Sequence, residues 1–200
     1  MEIKDILGNG DDPQKKLHTG QLLIASPLMH DMPFRKGVGI LLDYNDEKGG
    51  IGLMLNKELE FKMKDAFSGL GPWGDMPIFA GGPVEPSRIF MLHTLGDAIS
   101  NSLEICPGLW ISSSFGEAFQ YLDDGNPYEG HIRFILGYSG WSKGQLGQEV
   151  RDGAWALEEP GPDPSRLLTG SEDAFWRREL TIAGDSRKGW LCIPEHPSLN

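Results

Sequence analysis

The feature that most constrains this 200-residue chain is the spacing of its apolar runs. They are short, frequent, and divided by glycine- and proline-rich turns rather than by long helices. Residues 21–25 (QLLIA) read as a strand ended by Pro27. Residues 38–44 (VGILLDY) and 51–56 (IGLMLN) flank a polar, glycine-ended loop and read as a hairpin. Further strands are expected at 77–80, 88–94, 99–105, 109–112, 131–138 and 154–158, with a last edge strand at 190–193. Residues 88–94 (RIFMLHT) and 131–138 (HIRFILGY) are apolar on both faces, as central strands are. Short helices are expected at 61–70, 144–153 and 164–169. Ser171 opens a longer one, and another follows Ser114, which precedes Glu117 at capping-box spacing. Strands that come in runs, with few long helices between them, predict an α+β domain. Its sheet is mixed or largely antiparallel and flanked by short helices; a doubly wound fold is disfavoured. Residues 17–200 form one domain behind a polar N-terminal arm at 1–16. The Pro/Gly loop at 159–164 is the one candidate linker, and the ~36 residues after it are marginal as an independent domain.

Charge narrows the function classes. Eighteen Lys and Arg stand against 29 Asp and Glu, a net charge of −11. Nucleic-acid binding draws its affinity from a positive patch that releases counterions, so direct DNA binding is disfavoured, and so is an anionic membrane surface. No segment approaches the ~20 apolar residues of a membrane span. Residues 1–10 (MEIKDILGNG) lack the basic and apolar regions of a secretory leader, so a cytoplasmic protein with reduced thiols is expected from its two cysteines.

Few motifs carry chemistry. Residues 137–141 (GYSGW) miss the nucleophile elbow because Trp141 stands where glycine is needed; they read as a glycine-rich strand-to-helix turn. Residues 184–189 (GDSRKG) lack the end of a phosphate loop, and Gly37-Val38-Gly39 lacks the third glycine of a dinucleotide fingerprint. No cofactor is expected. The five histidines show no metal-ligand spacing, so no metal site is expected. His93 ends an apolar strand, a place suited to function, although a buried, hydrogen-bonded histidine is the commoner outcome there. Trp141, Gln145 and Glu149 are spaced by four and would share one helical face, either as the wall of a polar pocket or as an exposed polar side. Gly81-Gly82-Pro83 could bring backbone amides to a ligand or make a tight turn, and Asn56 could orient such a loop through its amide.

Taken in order, four groups of residues resemble the YqgE/AlgH family of bacterial proteins. The first is Gly20 to Pro27 with Asp31 and Phe34-Arg35. The second is Gly52 to Lys57. The third is Gly81 to Val84 with Leu92-His93-Thr94. The last is Leu136 to Trp141 with Gly144-Gln145-Leu146, Glu149 and Trp155. The resemblance implies a compact α+β domain whose bifurcated sheet folds into a pseudo-barrel, in a cytosolic bacterial protein. Some members are labelled transcriptional regulators. It implies motif positions at Asn56, Gly81, Gly82, His93, Trp141, Gln145 and Glu149, taken as candidate ligand-binding residues, with Pro83, Gly140 and Trp155 beside them. This chain departs from the family where Glu58 follows Lys57 in place of proline, and where Lys36 follows Arg35 in place of serine. The expected function is a binding or regulatory protein that affects transcription indirectly, through a protein or small-ligand partner. The alternative is a hydrolase-type enzyme with a pocket around His93, Trp141 and Glu149, with Ser139 as a further participant.

Overall fold

The computed structural model describes residues 16–193, so the expected N-terminal arm falls almost wholly outside the described residues. Ten strands are present. They are β1 (Leu22–Ala25), β2 (Val38–Asn45), β3 (Gly49–Met54), β4 (Glu58–Lys62), β5 (Pro77–Ala80), β6 (Val84–His93), β7 (Leu103–Cys106), β8 (Leu109–Ser112), β9 (Ile132–Trp141) and β10 (Trp155–Glu158). The α-helices are α1 (Met63–Ala66), α2 (Gly116–Asp123), α3 (Gln145–Arg151) and α4 (Glu172–Ile182). Sheet order runs β10-β1-β2-β3-β9-β6-β8-β7, with β5 beside β9 and β4 beside β5. Every pairing is antiparallel except β5 with β9.

The expected α+β domain with a bifurcated sheet is what forms, and β9 is the fork. Its first part lies between β5 (Ile78↔Phe134, Ala80↔Leu136) and β6 (Met91↔Phe134, His93↔Ile132). Its last residues pair instead with β3 (Gly50↔Trp141, Gly52↔Ser139). Gly137, at φ 68°, takes a left-handed conformation where the strand passes from one set of partners to the other. The sheet stays open, because no pairing among the described residues joins β10 to β7.

The fork divides the core. β1 is buried along its whole length, which explains its unbroken apolar run. Leu22 and Ile24 enter a cluster with Phe175, Trp176 and Leu180 of α4. Leu23 and Ala25 face the opposite cluster, with Trp141, Leu146, Val150 and Trp155. A third cluster joins Met91, Phe134 and Ile132 to Ala118 and Leu122 of α2.

Several local expectations change. The helix expected at 61–70 is instead β4 followed by one turn, because the segment is drawn alongside β5 (Glu58↔Phe79, Lys62↔Pro77). The strand expected from Ile99 starts only at Leu103, after a 3-10 turn at Gly96–Ala98. The capping box at Ser114 does not form: Phe115 is the N-cap of α2, and the Glu117 carboxylate accepts from Ser100 Oγ. The GYSGW segment belongs to β9 itself and is not a turn. The expected edge strand at 190–193 is replaced by a 3-10 helix, Asp185–Cys192, which buries Trp190. No helix among the described residues is long and apolar enough to cross a membrane.

Candidate functional site

α3 is amphipathic at spacing four. Leu146 and Val150 enter the core, and this turns Gln145 and Glu149 to the other side. Gly144, left-handed at φ 73°, makes the turn out of β9, and Gln145 Oε1 accepts the Ser142 amide at 3.0 Å. The end of β9 thus delivers Trp141, and β10 delivers Trp155, to the same carboxylate. Trp141 Nε1 and Trp155 Nε1 both donate to Glu149 Oε2, at 3.0 and 2.8 Å. Gln145 Nε2 donates to Glu149 Oε1 at 2.9 Å. The two indoles are nearly buried, at 7% and 2% exposure, and Glu149 is half-buried between them. Buried indole N–H groups need acceptors, and one carboxylate serves both.

This network forms one wall of a cleft of about 670 Å³. The segment after β1 makes the facing wall with Ser26, Met29 and Phe34, while His30 and Asp31 stand at its exposed rim. Asp31 O accepts the amides of Phe34 and Arg35, both at 2.8 Å, and this turn presents Phe34 inward. Phe34 meets Trp155 edge-on, with centroids 5.9 Å apart at 82°. Trp155 meets Trp141 at 6.3 Å and 81°. Each ring is thus close to perpendicular to the next. Pro83, Gly140 and Asp152 also line the cleft. No Lys or Arg is among the lining residues.

Of the residues singled out in the sequence, Trp141, Gln145 and Glu149 come together here. Trp141 does so from the strand end and not from a helical turn. The motif residues Asp31, Phe34, Pro83, Gly140 and Trp155 line the same cleft, whereas Asn56, Gly81, Gly82 and His93 do not. Asn56 is fully buried, and its amide clamps three segments: Oδ1 accepts from Val38 N at 2.9 Å, and Nδ2 donates to Lys36 O and Glu172 O, each at 2.9 Å. Neighbouring Lys57, also buried, donates to Arg35 O at 2.6 Å, and burial lowers its pKa. Gly81 and Gly82 allow close packing against β9. A Cβ on Gly81 would lie 2.3 Å from Gly137 O, and one on Gly82, at φ 152°, would lie 2.4 Å from Ser139 Oγ. The Gly81 amide is used within the sheet and is not offered to a ligand: Gly81 N donates to Leu136 O at 2.7 Å.

His93 pairs with Ile132 at the start of β9, whereas Trp141 ends that strand. The length of that strand, which bends at Gly137, separates the two, and His93 is not among the residues that line the cleft. The single pocket expected around His93, Trp141 and Glu149 is therefore not formed. His93 is fully buried and stacks on Trp110 at 6.2 Å. Ser102 Oγ gives its proton to Ile99 O at 2.8 Å, so His93 Nε2, 2.8 Å from that oxygen, is the donor. Nδ1 is left without a partner, and burial pulls the histidine pKa down to about 4. Ser139 is equally enclosed and donates to Gly81 O at 3.0 Å. Neither group is presented to a substrate.

Two features escape sequence reading. Met29 lies in an irregular segment with no periodicity to mark it, and its neighbours Asp31 and Phe34 are marked only by the family resemblance. Arg133, on an apolar strand, is 3% exposed and ties strands to loops: it donates to Leu55 O and, at 2.6 Å, to Gly170 O, with its guanidinium 3.9 Å above the Phe79 ring. It borders a smaller cleft of about 310 Å³. Among the described residues no cluster of His, Cys, Asp and Glu is placed to hold a metal ion.

Comparison with known proteins agrees with this architecture. The profile of the AlgH-like family matches residues 22–188. A UPF0301 protein of Parabacteroides distasonis is 34% identical over 182 residues, covering 90% of each chain. One of Chlorobium chlorochromatii is 36% identical over 186 residues, covering 93% of this chain and 97% of its own. The solution structure of the AlgH protein from Pseudomonas aeruginosa superposes with a TM-score of 0.63 at 26% identity, over 86% of this chain and 93% of that one. A crystal structure of a Corynebacterium diphtheriae protein shares the fold, with a TM-score of 0.66 at 18% identity, over 84% of this chain and 88% of its own. With the family profile spanning nearly the whole sheet and the helix that carries Glu149, the chain belongs to the AlgH-like family.

Proposed function

We propose that this protein is a non-enzymatic binding protein whose ligand site is the cleft between α3 and the segment after β1. One observation carries the reading. A carboxylate held by two nearly buried indoles stands in the wall of an open cleft, with no cation against it among the described residues. Binding sites are concave and mostly apolar, with a few fixed polar groups, and this cleft has that composition. The motif positions Trp141, Gln145 and Glu149 would then be ligand-binding residues, while Asn56, Gly81, Gly82 and His93 hold the scaffold that positions them.

Any effect on transcription would run through a ligand or a protein partner. The net charge of −11 opposes contact with phosphates. At ~0.15 M salt, random duplex DNA should bind no better than the weak non-specific range. A sharp, salt-sensitive, sequence-specific shift would refute the indirect reading. The cleft itself is tested by NMR screening of a fragment set containing cationic, anionic and neutral compounds. Hits should move the Trp141 and Trp155 indole N–H signals; hits confined to other surfaces, or none in any class, would overturn the assignment.

A further inference from the structure

The polar and aromatic groups of the cleft also define what it would hold. This step rests on the cleft being a binding site. Its walls carry three carboxylates, Asp31, Glu149 and Asp152, and no Lys or Arg. Three aromatic rings line it, and Trp155 meets both Phe34 and Trp141 edge-on rather than in a stack. Aromatic rings with carboxylates beside them attract cations, through the ring quadrupoles and through charge. An anionic ligand would meet uncompensated repulsion there, and a neutral one would leave the Glu149 charge unanswered.

The hydrogen-bond capacity of Glu149 narrows the cation further. A carboxylate has about four acceptor positions. Two on Oε2 are taken by the indoles and one on Oε1 by Gln145. One position, on Oε1, stays open. A guanidinium bonds most strongly as a fork across both oxygens of a carboxylate, and Oε2 is already filled. An ammonium is a compact point donor that needs a single acceptor and brings two further N–H groups for the neighbouring oxygens. Met29 and Leu28 line the approach and suit an aliphatic stem.

We propose that the cleft takes a primary alkylammonium group, with its nitrogen at the open position of Glu149 Oε1 and its stem along Met29 and Phe34. The group could belong to a free aliphatic amine or to a lysine side chain. The test uses the full chain at 0.15 M salt and follows the two indole N–H signals by NMR. The probes are n-butylammonium, n-butanol, butyrate and n-butylguanidinium. Butylammonium should bind at least ~10-fold tighter than butanol or butyrate, and tighter than butylguanidinium. Glu149→Gln keeps an oxygen for the indoles and removes the charge; it should erase the preference over butanol. Should that variant not fold, Asp31→Asn, at the exposed rim, should reduce the preference while leaving the fold intact. Putrescine against Nα-acetyl-lysine methylamide then separates the two sources, since the natural source should bind the tighter.

Equal affinity for butanol and butylammonium would overturn the cation assignment and leave the cleft as a binding site. So would ammonium binding that ignores both substitutions, which would report only the acidic surface as a whole. Failure of every probe, together with an empty fragment screen, would remove the cleft reading as well.

Discussion

Asn56 offers the most direct test of the division between scaffold and site. Its side chain is fully buried and makes three hydrogen bonds of 2.9 Å, to the start of β2, to Lys36 two residues earlier, and to the first residue of α4. Asn56→Ala strands the Val38 N–H, which has no water to turn to, and frees two carbonyls. Lys36 O keeps a second contact, a 3.4 Å bond from Lys57 Nζ, so its loss is partial. An orphaned buried donor costs roughly 1–3 kcal/mol, and each lost neutral bond to a carbonyl adds about 0.5–1.5. The expected loss is therefore about 2–5 kcal/mol. A domain of ordinary stability has only ~5–15 kcal/mol in all. Urea unfolding followed by tryptophan fluorescence should show a lower midpoint at unchanged slope, and the melting temperature should fall by roughly 5–15 °C for a chain of this size.

Asn56→Asp adds a sign that cavity formation cannot imitate. Its oxygen still serves Val38 N–H, but its second oxygen faces two carbonyls. The native state therefore favours the protonated acid, whose pKa rises above that of the unfolded chain. Between the two values the native state holds a proton that the unfolded state releases, so the stability of this variant falls as pH rises. Asn56→Ala should show no such added slope. An alanine variant within ~0.5 kcal/mol of the parent, or an aspartate variant that gains stability with rising pH, would refute the clamp.

Other expectations follow from single side chains. His93, held near pKa 4 by burial, takes up no proton in the native state until well below the ordinary value of 6.5. Its contribution is complete above about pH 6.5 and is lost as pH falls toward 4, on the order of 3 kcal/mol in all, and His93→Gln should flatten that part of the stability–pH curve. Arg133→Ala should cost about 3–5 kcal/mol in urea unfolding, because it bares two carbonyls and the Phe79 face together; a change below ~1 kcal/mol would contradict the buried tie. Burial pushes the Cys106 thiol up to about 11, while Cys192 is exposed, so iodoacetamide at neutral pH should label Cys192 first, and mass spectrometry of the early product reads the order.

The strands were legible where burial and periodicity coincide. Residues 38–44 and 51–56 read as a hairpin and form β2 and β3, and residues 154–158 read as a strand and form β10. The segment around Phe61 misleads because its apolar spacing suits a helix, while pairing to β5 draws it into a strand and leaves Phe61 38% exposed. β9 runs past its expected end for a related reason. Glycines at 137 and 140 signal a turn locally, but β3 supplies a second partner from Ser139 onward, and only the fold brings β3 there. Half of the cleft was legible too, although of the face expected at spacing four only Gln145 and Glu149 lie on the helix and Trp141 comes from the end of β9. The other half of the cleft comes from a segment held by turns, in which no periodicity exists to be read: Asp31 and Phe34 are marked there only by the family resemblance, and Met29 not at all.

The candidate residues that proved structural share one property, and Glu149 lacks it. Asn56, Ser139 and the Gly81 amide spend their hydrogen bonds on backbone groups of the same chain, and all are enclosed. A substitution at any of them would be felt as stability. Even the orphaned Nδ1 of His93 fits, because a neutral histidine can leave an acceptor bare at modest cost, and its pKa falls to keep it neutral. Glu149 receives three neutral donors and still carries a full negative charge, half-exposed, with one acceptor position unfilled. If satisfying the two indoles were its whole role, a neutral glutamine would serve them with the same oxygen and without the cost of holding a charge among aromatic rings. Glu149→Gln keeps both indole bonds and gives up the one from Gln145 Nε2, since an amide nitrogen in place of Oε1 cannot accept it, so it should cost no more than about 1–2 kcal/mol while losing the cleft's preference for cations. A preference erased at nearly unchanged stability is the outcome that separates a site from a scaffold, and a variant destabilised as heavily as Asn56→Ala would place Glu149 with Asn56.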